Sequence, residues 1–144
     1  MPKATQLTVA LKACLEGIKP SAGYVTEVRQ VYGLLETPKD KAPTPYIKLR
    51  VADDRRTSTA GIQATRVRTY LIEAFFAKSA AEAELDAVGP DILRALGFGL
   101  HPHERALPGL IDQEDEIQID PCEAGAVLHR VTVTVGVTYV ESYQ

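Results

Sequence analysis

The chain has 144 residues, a formal net charge of −3, 45% hydrophobic residues and 24% charged residues, which suits one globular domain with its own core. That charge argues against bulk binding of nucleic acid or of an anionic membrane, and no apolar run approaches the length of a membrane span. The N-terminal apolar residues are interrupted by Lys12 and Glu16, which is helical amphipathicity rather than a signal peptide, so synthesis in a cytoplasm is expected.

Leu7, Leu11, Cys14, Leu15 and Ile18 recur at helical spacing, and Pro20 ends that helix. Cys14 therefore reads as a small core residue; Cys122 lies far from it, and a reducing origin disfavours a disulfide between them. Residues 24–35 are rich in β-branched and aromatic types and predict a strand broken near Gly33. The Pro-containing, charged residues 36–44 predict an exposed loop.

Residues 45–52 alternate, with Ile47, Leu49 and Val51 on one face and Tyr46, Lys48 and Arg50 on the other. Residues 64–76 begin as a second alternating strand, and polar residues 53–63 between them predict a hairpin with a long interaction loop at its tip. Ser79-Ala80-Ala81-Glu82 has the form of a capping box. The helix it opens buries Leu85, Val88, Ile92, Leu93 and Leu96, kinks at Gly89-Pro90 and stops at Gly97.

Residues 97–112 form a connection with a short strand at its end, and residues 116–120 form another strand. The last strand gives the strongest local signal. Val131, Val133, Val135, Val137 and Tyr139 share one parity, while Arg130, Thr132, Thr134, Gly136 and Thr138 take the other. Consecutive strands with interspersed helices predict one α+β domain, 1–144, with a mainly antiparallel sheet and two helices packed on one face. The threonine face has no internal cover in this reading.

Motifs for chemistry are sparse. There is no nucleophile elbow, no phosphate-binding loop and no H-E-x-x-H. Gly97-Phe98-Gly99 follows a helix, where a dinucleotide loop would follow a strand. His101, His103 and Glu104 read as exposed loop residues, since Pro102 prevents a regular strand from aligning the two rings. Glu73 shares the parity of Leu71 and Phe75; paired with a cation it is structural, and with Tyr46, Tyr70 and His129 it is the alternative of a small enzyme or ligand-binding domain. No catalytic, metal or cofactor residues are assigned.

Charge offers candidate contacts. If residue 49 pairs with 67, then Lys48, Arg50, Arg66 and Arg68 form one cationic face, whose mutual repulsion calls for solvent or an acidic partner. The run Asp112, Gln113, Glu114, Asp115, Glu116 in a neighbouring subunit is one such partner. Asp53, Asp54, Arg55 and Arg56 on the hairpin loop complete the candidate interface.

The order of these elements resembles the tail terminator, or tail completion, proteins of long-tailed bacteriophages. The amphipathic helix LTVALKACLEGI, the strand pair around PYIKLRV and TRVRTYLIEAFF, the helix SAAEAELDAVGPDILRAL and the final strand HRVTVTVGVTYV carry the likeness. The resemblance implies a structural, non-enzymatic subunit of the virion tail that closes into a hexameric ring on the tail tube and stops its growth. It implies that the ring joins the head-tail connector protein, and that the partners are other copies of the chain, the tail tube protein and that connector. No cofactor, membrane or specific nucleic-acid contact is implied. Gly89-Pro90 departs from the smooth helix that the family leads one to expect. Another phage neck or tail tube component is the nearest alternative.

Overall fold

In the computed structural model, which describes residues 1–111, 115–123 and 125–144, two helices cover one face of a five-stranded sheet. The elements are α1 (Lys3–Glu16), β1 (Gln30–Tyr32), β2 (Tyr46–Ala60), β3 (Gln63–Ala77), α2 (Glu82–Leu96), β4 (Glu116–Asp120) and β5 (Leu128–Ser142). The sheet order is β1-β2-β3-β5-β4. Only β1 runs parallel to its neighbour; all other pairs are antiparallel. This is the expected α+β architecture.

The valine parity of β5 explains the layering. Val131, Val133, Val135 and Val137 are fully buried together with Ile47, Leu49, Tyr70, Ile72 and Ala74 of the neighbouring strands. Leu11 and Leu15 of α1 and Leu85, Val88, Ile92 and Leu96 of α2 join the same cluster. Helix α2 passes through Gly89 and Pro90 as one continuous helix and ends at Gly97 in the left-handed region. Its N-cap is Ala81 rather than Ser79. Half of a box survives, because the Ala81 N–H donates to Glu84 Oε2 at 3.1 Å.

Three further expectations need correction. The strand predicted over 24–35 shrinks to Gln30–Tyr32. The preceding backbone finds partners outside a ladder: Val25 and Thr26 N–H donate to the buried Asp91 carboxylate, and Val28 N–H donates to the Ile18 carbonyl. Satisfied groups gain nothing further from pairing with a strand.

The long polar loop over 53–63 is instead β-structure. Strands β2 and β3 each run for 15 residues and turn over Gly61 and Ile62 alone. Gly61 has φ +62, which suits the first central position of a tight hairpin turn. Register shifts at Ala52 and Thr57 mark β-bulges in β2. Each bulge resets the alternation, so a strict period-two reading loses the strand at residue 52.

The hairpin register also differs. Leu49 pairs with Ile72, and Val67 pairs with Arg55. An odd shift of five residues moves side chains to the opposite face. Arg66 and Arg68 therefore lie on the helix side with Tyr70, while Lys48 and Arg50 lie on the open side. The four cations do not form one face.

Candidate interaction surface

The sheet has two chemically distinct ends. Near β1 and β4 it is sealed by the apolar core. Toward Gly61 the core stops at Tyr70 and Val137, and polar side chains hold β2, β3 and β5 together.

Asp54 is the centre of that polar end. Its Oδ1 accepts from Arg66 Nε at 2.7 Å, and its Oδ2 accepts from Arg68 Nη1 at 3.2 Å and from the Tyr139 hydroxyl at 2.5 Å. Its backbone carbonyl accepts from Arg66 Nη2 at 2.7 Å. Arg66 Nη1 also donates to the Tyr143 hydroxyl at 2.9 Å. One carboxylate thus links all three long strands. The Arg68 guanidinium lies 5.7 Å from the Tyr70 ring centroid, and the Tyr70 hydroxyl bonds Thr8 of α1 at 2.8 Å.

Partial burial pulls the Asp54 carboxyl upward, but hydrogen bonds from Tyr139, Arg66 and Arg68 outweigh it and hold the group below its ordinary value. Desolvation, then the hydrogen bond to Asp54, pushes the Tyr139 hydroxyl up to about 12. The hydrogen bond to Asp54 raises Arg66 above the usual guanidinium range. Two guanidinium groups against one carboxylate still leave the cluster cationic.

On the open face, Glu73 is buried and paired. Its Oε2 lies 3.5 Å from both Arg50 and Arg130, which matches the structural reading of this carboxylate. Lys48 donates to the carbonyls of Gly33 and Leu34 at 2.5 and 3.0 Å, pinning the loop after β1. Tyr46 stacks on Phe75 at 5.1 Å.

The residues of the enzyme alternative do not converge. Tyr70 sits under α1 on the helix side, away from Glu73 and Tyr46. His129 Nδ1 accepts from the Cys122 N–H at 2.8 Å, leaving Nε2 to donate to the Lys78 carbonyl at 3.1 Å. That histidine fixes the turn into β5. His101 and His103 are exposed and stacked at 5.6 Å. Among the described residues, no three His, Cys, Asp or Glu side chains gather as a metal site. Likewise, no helix there is long and apolar enough to cross a membrane.

The remaining candidates line the sheet edges. Asp53 and Arg55 form an exposed pair at 3.7 Å. Arg56 is exposed opposite Arg66 and makes no ion pair among the described residues. Asp115 and Glu116 are exposed at the start of β4. Asp112 and Glu114 lie outside the described residues. Tyr139, Tyr143 and Arg130 were missed as partners of the charged residues. Tyr139 was visible in the valine parity, but its link to Asp54 depends on the bulge at Ala52. No family model matches the chain, and no curated protein matches it.

Proposed function

We propose that the chain is a structural subunit of a long-tailed phage virion, acting by assembly rather than catalysis. Copies close into a ring, a hexamer by resemblance, which caps the tail tube, ends its polymerisation and offers a joining surface to the head connector. The observation that supports this reading best is the polar end of the sheet. Three strands of 15 residues each run past the apolar core into an exposed tip. A core does not need that extension, and the bidentate Asp54 network makes it rigid rather than loose. A stiff projecting ribbon suits contact with a neighbouring subunit or a tube rim. The open sheet face fits the same role, because Thr132, Thr134 and Thr138 are half-buried and uncharged, and the Glu73 carboxylate beside Thr132 is already paired with Arg50 and Arg130.

The test is size-exclusion chromatography with light scattering on the full chain, alone and with polymerised tail tubes, followed by electron microscopy of the tube ends. Rings, or rings formed only on tube ends, with tube growth arrested, are the expected result. A strictly monomeric protein that leaves tube growth unchanged overturns the reading.

A further inference from the structure

The two edges of the sheet are open and carry opposite charge. Strand β1 covers β2 only from Tyr46 to Lys48, so among the described residues no strand pairs the outer edge of β2 over 49–60. Strand β4 is last in the sheet order, and among the described residues no strand pairs its outer edge.

Around the free part of β2 the hairpin carries Arg55, Arg56, Arg66 and Arg68 against Asp53 and Asp54, a cationic excess. Around β4 the described residues include Asp115, Glu116, Asp120 and Glu123 against Arg130, an acidic excess. Open strand edges invite uncontrolled pairing unless charges or bulges guard them. Here β2 has both, but a charge guard repels only its own sign. An oppositely charged edge is the one strand that it admits.

Strand direction agrees. Three successive antiparallel pairings, β2 with β3, β3 with β5 and β5 with β4, leave β4 running opposite to β2. Across the sheet Glu116 lies level with Arg50 and Asp120 with Tyr46, so a second copy in the same sense, displaced along the strands toward the Gly61 end of the first, sets its β4 antiparallel on the uncovered part of β2. Each copy then gives one edge and receives the other, which is a head-to-tail contact able to close into a ring. Ile117 and Ile119, at 40% and 39% exposure on the helix side of β4, supply apolar surface for such a neighbour to cover.

We propose that residues 115–120 of one copy dock on residues 53–56 of a second copy, with Arg55 and Arg56 meeting Asp115 and Glu116. This rests on the ring reading above and adds which surfaces build the ring. The test compares the wild-type chain with Arg55→Glu/Arg56→Glu, Asp115→Lys/Glu116→Lys and the combination of all four, by sedimentation velocity with tubes present and absent. Circular dichroism checks that each variant is folded.

Each double variant is expected to self-associate roughly tenfold or more weakly, because like charges then face each other. The fourfold variant, with both signs exchanged, is expected to recover assembly. High salt is expected to weaken the wild type and the fourfold variant alike. Wild-type rings unaffected by either double reversal overturn this contact and leave the ring reading standing. Loss of assembly in only one double variant, or a folded fourfold variant that stays monomeric, also overturns it. A wild type that never assembles removes both.

Discussion

The two ends of the sheet do the same job by different physics. At the β4 end, Ile47, Leu49, Ile72, Val131 and Val133 are sealed under two helices, and burial of apolar surface holds the strands. At the Gly61 end no helix covers the sheet, and one carboxylate shared by two arginines and a tyrosine does the holding. Apolar burial is not directional, so that end tolerates many shapes of the same volume. The Asp54 network is directional and fixes one register across three strands. Under the assembly proposed above, this stiff polar frame would set the edge offered to another copy.

Mutations can break this contrast. Ile72→Ala should have the largest effect, a global loss of roughly 2–5 kcal/mol in urea unfolding, because a fully buried side chain leaves a cavity. Asp54→Ala should cost less, about 1–3 kcal/mol, since the partners it abandons still reach some solvent. Its signature is local. Hydrogen exchange should quicken in residues 54–69 and 136–142, while amides around Ile72 and Val133 keep their protection. Equal loss of protection at both ends would mean that the sheet is one cooperative unit and the contrast is false.

Tyr139→Phe should cost about 1 kcal/mol at neutral pH by removing one bond to a charged acceptor. It also tests the pH dependence. Because the folded-state Tyr139 value is raised from 10.0 to about 12, its contribution is present below pH 10.0 and is lost as pH rises toward about 12. The Phe variant should lack that alkaline decline. Asp54 acts in the opposite sense: its folded value is lowered, so its contribution persists above the ordinary carboxyl range and disappears as pH falls through the depressed value. Asp54→Asn should flatten the acid limb. Gly61→Ala should have the smallest effect, about 1 kcal/mol or less from forcing a side chain into positive φ, with faster exchange confined to the hairpin tip.

Periodicity made much of the sealed end legible. The valine parity of β5, the stripes of α1 and α2, the stop at Gly97 and the alternation of residues 45–51 all follow from local sequence, because a side chain's face is set by its distance along its own element. The cation at Glu73 was also foreseeable as a type of partner, though Arg130 was not. The polar end was harder to read. Its strands are threonine- and arginine-rich, and two bulges interrupt the alternation, so residues 53–63 look like a loop until β3 and β5 are seen beside them.

What the sequence determined by itself was the class of fold, the two helices and the face of β5 that would be buried. Tertiary structure alone decided the register of β2 on β3, and with it the partners of every charged residue in the hairpin. The reason is geometric. Faces repeat every two residues along one strand, but pairing between strands depends on where the turn falls and where a bulge inserts a residue; here the turn at Gly61 and the bulges at Ala52 and Thr57 together set Arg68 opposite Asp54 and bring Arg66 within reach of the same carboxylate.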